Sequence, residues 1–174
     1  MKLEFNKKRL KNWLISLGII VLGIVFDQVT KILAVNFLKG EPSVNIIGNF
    51  LRLTYVENTG MAFGLMKDDR WVFMTISTLA IGAMLVYLFL SKKMPTLYMI
   101  SISIIASGGI GNMIDRVRLE YVIDFVDVKY FAVFNGADSL VCIGAGLLIL
   151  AMILDIFKES KKQKSAKAEE EKEE

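Results

Sequence analysis

The chain has no histidine among its 174 residues, one cysteine, Cys142, and two prolines, Pro42 and Pro95. Each shortage excludes something. Without histidine there is no serine–histidine or cysteine–histidine nucleophile pair, and no imidazole to ligate a metal. A single cysteine cannot form an intramolecular disulfide, so cysteine usage does not report the compartment. With no histidine to activate it, Cys142 is expected to be a small buried apolar residue. Polar residues are scarce as well: 54% of the chain is hydrophobic, and the mean hydropathy of +0.50 exceeds that of an ordinary soluble domain.

What the chain has instead is long apolar runs. Four of them, residues 13–35, 71–90, 97–114 and 139–157, approach the roughly 20 residues that a helix needs to cross a bilayer. Both prolines fall between runs. The expected fold class is therefore an α-helical membrane protein with four transmembrane helices. One polytopic domain should cover residues 1–157, and residues 158–174, without apolar content apart from alanine, should form a charged, disordered cytoplasmic tail.

The net charge of +3 conceals segregation. Lys2, Lys7, Lys8, Arg9 and Lys11 precede the first run, Lys92 and Lys93 lie between the second and third, and a lysine cluster follows the fourth. Four crossings put these regions on one side. The other two connections mix Lys39, Arg52, Lys67 and Arg70 with Glu41, Glu57, Asp68 and Asp69. By the positive-inside rule both termini are cytoplasmic, and no nucleic-acid partner is needed to explain the basic arm. The first run is longer than a signal-peptide core, lacks a small-residue exit and contains Asp27 and Lys31, so it reads as an uncleaved span.

Between the first two runs, Leu51, Leu53 and Tyr55 alternate with Arg52, Thr54 and Val56, bracketed by Asn49 and Asn58-Thr59-Gly60. That period of two predicts a small external β element on the membrane surface. The stretch VIDFVDV after the third run also alternates.

Charged residues inside or beside the spans carry the candidate chemistry. Asp27 and Lys31, four apart, share a helix face and read as an ion pair. In SGGIGNMIDR, Ser107, Gly108, Gly109 and Gly111 permit close helix approach and leave room beside the third helix, while Asn112 and Arg116 share a face at the outer boundary. Asp124 lies in an apolar strand-like run and Asp138 opens the fourth run, where an N-cap is the structural alternative. The two acids are 14 positions apart and can meet if the loop folds back. Paired carboxylates in a low-dielectric site share one proton, which suits aspartyl hydrolysis of a peptide without metal or cofactor. Asp115 and Asp127 are the rivals: Asp115 adjoins Arg116, and Asp127 faces away from Asp124 in an extended run, so both read as solvated or salt-bridged.

Five motifs in order, DQVTK, VENTGMAFG, GGIGNMIDR, VIDF and FNGAD, resemble those of the lipoprotein signal peptidases, or signal peptidase II, over residues from about 20 to 150. The resemblance implies an aspartyl endopeptidase of the bacterial cytoplasmic membrane with its active site at the outer face. It would remove the signal peptide of a prolipoprotein just before a cysteine carrying diacylglyceryl lipid. It further implies a catalytic dyad of Asp124 and Asp138, and substrate-site residues Asn58, Gly60, Asn112, Arg116 and Asn135. Asp27 and Lys31 match polar support residues, the external strands match a β-cradle, membrane lipid is a partner, and globomycin-type cyclic peptides are inhibitors. Glu120 stands where a small residue, often glycine, is expected, and Gly136 replaces an apolar residue within the last motif. A proton-coupled carrier and an inert membrane scaffold are the competing readings. The carrier fits poorly, because the two acids sit at one face and the chain has no inverted repeat.

Overall fold

The computed structural model describes residues 7–60, 70–91 and 93–173. Within the motifs and basic clusters, Lys2, Lys92 and the segment from Met61 to Gly64 lie outside these residues. The elements run α1 (Lys7–Leu38), β1 (Val44–Ile47), β2 (Leu51–Asn58), α2 (Arg70–Leu90), α3 (Thr96–Leu119), β3 (Val122–Val128) and α4 (Gly136–Glu173).

The helices are apolar on the outside. The most apolar window of α4 has a mean hydropathy of 2.6, yet only 11% of it is buried within the protein; for α1 the values are 1.9 and 17%. In water such surfaces would aggregate. In lipid they are solvated, and each helix satisfies its own backbone hydrogen bonds. Three described helices, α1, α3 and α4, are long and apolar enough to cross a membrane, and α2 adds an apolar stretch over Met74–Leu90. Cys142 lies exposed on the outer face of α4 rather than buried, because only one stripe of that helix packs inward.

The interior belongs to α3, whose window is the most buried at 44%. Its glycines do not leave space beside the helix; other helices fill that space. A side chain at Gly108 would strike Ala137 O and Val141 of α4, one at Gly109 would strike Ile81 of α2, and one at Gly111 would strike Asp27 of α1. Each glycine therefore admits a different neighbour. Gly144 of α4 returns the contact, with an added Cβ lying 2.9 Å from Ile105 N and from Ser101 O. With no water in the bilayer to drive association, such close packing is a main source of helix cohesion.

The three strands form one antiparallel sheet in the order β1-β2-β3. β1 turns into β2 through Gly48, whose φ of 49° suits glycine. The β2–β3 register passes from Leu53↔Val126 to Val56↔Asp124, so β2 carries one extra residue, a bulge beside Asp124. α3 ends at Glu120 in the left-handed region, φ 72°, a position where glycine is the unstrained residue. The chain can then reverse at once into β3.

α4 continues as helix through residues 158–173, past the expected start of a tail. Lysine, glutamate, glutamine and alanine are strong helix formers, so a helix begun in the apolar segment propagates through them.

Gly144→Ala should cost about 1–3 kcal/mol, because the new methyl meets immovable backbone. Gly146→Ala should be neutral or slightly stabilising, since nothing lies within 4 Å of its Cβ position. Thermal unfolding of the two variants in detergent checks this; equal effects would mean that α3 and α4 do not pack as described.

Candidate active site

Where the last turns of α3 meet the start of α4, a buried ammonium organises the polar groups. Lys31, 1% exposed, uses all three of its protons. They go to Asp27 Oδ2 at 2.9 Å, Asp115 Oδ2 at 2.8 Å and Asn112 Oδ1 at 2.9 Å. Asp27, four residues back, is fully buried, and its other oxygen accepts the Ala137 N–H at 2.9 Å, which ties the start of α4 to α1. Asp115 accepts the Ile123 N–H at 3.2 Å and holds the start of β3. Gln28 Nε2 donates to Asp27 at 3.1 Å and to Asp115 at 3.0 Å, easing the approach of two carboxylates. Neither Gln28 nor the Asp115 link emerges from the sequence reading. The available signal was a polar residue in an apolar run and an acid four positions beyond Gly111.

Lys31 also settles the orientation of Asn112. With Oδ1 accepting from the ammonium and from Asn135 Nδ2 at 3.0 Å, the amide nitrogen must face the other way. It donates to Asp138 Oδ1 at 2.8 Å. Asn135 is the true N-cap of α4. Its Oδ1 accepts the Asp138 N–H at 3.0 Å, and Asp138 Oδ2 accepts the Asn135 N–H at 3.1 Å, a reciprocal capping box. The Asn135 side-chain nitrogen reaches across to Asp124 Oδ1 at 2.6 Å.

Asp124 comes from β3, which reverses after residues 129–133 so that Phe134 pairs with Val126. The Val126 N–H donates to Phe134 O at 2.8 Å and the Phe134 N–H to Val126 O at 3.0 Å. The loop thus folds back as expected and brings Asp124 beside the α4 cap. Asp124 Oδ2 accepts from Asn58 Nδ2 at 2.8 Å. Asn58 is oriented in turn by the Gly60 N–H, which donates to its Oδ1 at 3.0 Å. Arg116 lies one turn from Asn112, its Nη1 3.5 Å from Asn112 O, within electrostatic reach of Asp138 and Asp124. All nine residues singled out from the sequence therefore belong to one connected cluster. The two rivals fall outside the pair: Asp115 is spent on Lys31, and Asp127 is salt-bridged to Arg52 on the far face of β3.

Burial, with Asp124 only 2% exposed, pushes its carboxyl up to about 6 from an ordinary value of 3.8. The nearby charge of Asp138 adds to the rise, and the amides of Asn58 and Asn135 oppose it. Among the described residues no cluster of histidine, cysteine, aspartate and glutamate is arranged to hold a metal ion.

Apolar helices with two carboxylates gathered by asparagine amides at one end of the bundle form an arrangement that hydrolysis of the aspartyl type can use. A family model described as signal peptidase (SPase) II matches residues 19–154. The lipoprotein signal peptidase of Clostridium tetani is 42% identical over 149 residues, spanning 83% of this chain and 96% of that protein. That of Caldanaerobacter subterraneus subsp. tengcongensis is 45% identical over 137 residues, 78% and 94% of the two chains. A solved bacterial membrane enzyme superposes with a TM-score of 0.74 at 32% identity, covering 81% of this chain and 88% of its own. The chain belongs to the signal peptidase II family, whose members are membrane aspartic endopeptidases.

Two outcomes test this geometry. Lys31→Met strands two buried carboxylates and should destabilise the protein by about 3–5 kcal/mol, read as a large fall in unfolding temperature. The raised value of Asp124 sets a pH dependence. The folded state binds the proton more tightly than the unfolded chain, so stability should fall as pH rises from about 4 to about 6, by roughly 3 kcal/mol, and level off above. Asp124→Asn should lack this segment of the profile; an unchanged slope would mean that another group carries it.

Proposed function

We propose that Asp124 and Asp138 are the catalytic dyad that removes the signal peptide from a prolipoprotein, cutting before a cysteine that carries diacylglyceryl lipid. The observation that carries this reading is Asn135, which donates from its side chain to Asp124 and from its backbone to Asp138. One residue thereby sets the relation of the two carboxylates.

In this reading Asp124, the buried acid with the raised value, holds the shared proton and directs it at the scissile carbonyl oxygen. Asp138 takes a proton from water as the water oxygen attacks the carbonyl carbon. The tetrahedral intermediate then collapses: the C–N bond breaks, the amine leaves with a proton from the dyad, and the remaining protons restore its starting state. Asn112 and Asn58 hold the acids, Gly60 sets Asn58, and Arg116 faces the substrate backbone near both charges. Asp27 and Lys31 serve as structural support.

The site is assigned to the outer face of the cytoplasmic membrane, with both termini in the cytoplasm, on the strength of the basic residues at the opposite end of the bundle. Substrate helix and lipid tail would approach sideways through the bilayer, and membrane lipid and globomycin-type peptides would occupy the same outer region. Residues 158–174 would extend from the domain into the cytoplasm.

The test is cleavage of a diacylglyceryl-modified prolipoprotein by the purified protein in detergent. Asp124→Asn and Asp138→Asn should each lose activity by orders of magnitude, and Asp127→Asn should retain it. Full activity in either dyad variant would end the mechanism. An intact, folded wild type that cleaves nothing but moves protons would favour a carrier.

A further inference from the structure

A cavity of about 570 Å³ lies away from the carboxylate pair, at the other end of the bundle, where α1 begins, α2 ends and α3 begins. Met99 lines it and Asn112 lies 13 residues further along α3, which is about 20 Å at the rise of a helix.

Lys8, Arg9 and Lys93 line it, and none of the described lining residues is acidic. Arg9 donates from Nη2 to Phe89 O at 3.1 Å, near the C-terminus of α2, and its guanidinium stacks over the Trp13 ring at 4.8 Å. Its Nε is buried and without a hydrogen-bond partner among the described residues. Buried guanidinium nitrogens are nearly always paired, so this one lacks an acceptor. The hydroxyl groups of Ser16 and Ser91 add neutral donors. α3 starts at this cavity behind Pro95, with no side-chain cap and no acid in its first turn, so its first N–H groups present the positive end of the helix here. Trp13, packed edge-on against Phe89 at 6.2 Å, is the kind of residue that marks the headgroup depth of a membrane.

Cations, hydroxyls, an uncapped helix start and an open volume at headgroup depth share one complement. We propose that this cavity is an anion site for a phosphate group, filled by the headgroup of an anionic phospholipid of the cytoplasmic leaflet or by free phosphate. Arg9 supplies the planar fork and closes the cavity against α2. Lys8 and Lys93 supply charge at its mouth. The site is separate from the peptide-cleaving end, and occupancy would pin the α1, α2 and α3 ends together.

The experiment uses the full chain in neutral detergent and reads its unfolding temperature against three titrants: a short-chain phosphatidylglycerol, a short-chain phosphatidylcholine and inorganic phosphate. Phosphatidylglycerol should raise the unfolding temperature saturably at concentrations where phosphatidylcholine does nothing. The double variant Lys8→Gln/Lys93→Gln keeps the Arg9 bond to α2 and so should fold normally. It should weaken the response by on the order of ten-fold in apparent affinity. A control variant, Lys161→Gln/Lys162→Gln, removes the same charge from exposed positions of α4 and should respond like the wild type. A matching response to inorganic phosphate, lost in the same double variant, would support the site and assign it to the free anion. An equal response to phosphatidylcholine, or the same loss in the α4 control, would overturn the proposal, because the effect would then be general lipid solvation or diffuse attraction.

Discussion

The buried ammonium of Lys31 is the constraint on which the half of the molecule that carries the sheet and the carboxylate pair depends. Taking a charge out of water costs several kcal/mol, and taking it into a lipid-embedded bundle leaves no solvent to repair a poor arrangement. All three protons must therefore find acceptors, and those acceptors come from both α1 and α3. Each acceptor then fixes something else. Asp27 holds the first turn of α4, Asp115 holds the first residues of β3, and Asn112 turns its amide nitrogen toward Asp138. The two elements that carry the paired carboxylates are thus anchored to one side chain that bonds to neither acid.

This arrangement separates two tasks that would conflict in a single pair of groups. Asp27 and Asp115 each spend an oxygen on the Lys31 ammonium. Asp124 and Asp138 are instead surrounded by neutral amide donors, from Asn58, Asn112 and Asn135, which orient the oxygens without neutralising them. Amides also cannot titrate, so they keep the geometry constant while the proton count of the pair changes. Arg116 supplies positive charge nearby without occupying an oxygen of either acid.

The glycines of α3 serve this site indirectly. Gly111 exists because Asp27 needs its space, and Gly108 lets α4 come close enough for the capping box to sit beside Asn112. Packing at backbone contact distance is common where lipid replaces water as the surroundings, since tight contact must hold helices together without hydrophobic exclusion between them. Stability and site geometry are here the same contacts.

The apolar run lengths, the segregation of lysine and arginine, and the period-two alternation at Leu51–Asn58 by themselves determined a helical membrane protein with an external β element, because bilayer thickness and strand pleat leave direct periodic marks. The ordered motifs likewise determined the family and the residues to inspect. Three things were decided only by the tertiary structure. Asp115 reads as a local neighbour of Arg116, but its partner is 84 positions away in α1, and no spacing rule reports an ion pair across helices. Asp138 reads as the N-cap, yet Asn135 holds that position, and Asp138 closes the capping box with one oxygen and faces Asn112 with the other. The glycines read as a surface for close helix approach with room left beside α3, and which three helices take up that room is seen only in the fold. Periodicity records which environment a residue faces; which partner it meets there depends on how several helices pack at once, and that is set by the whole bundle.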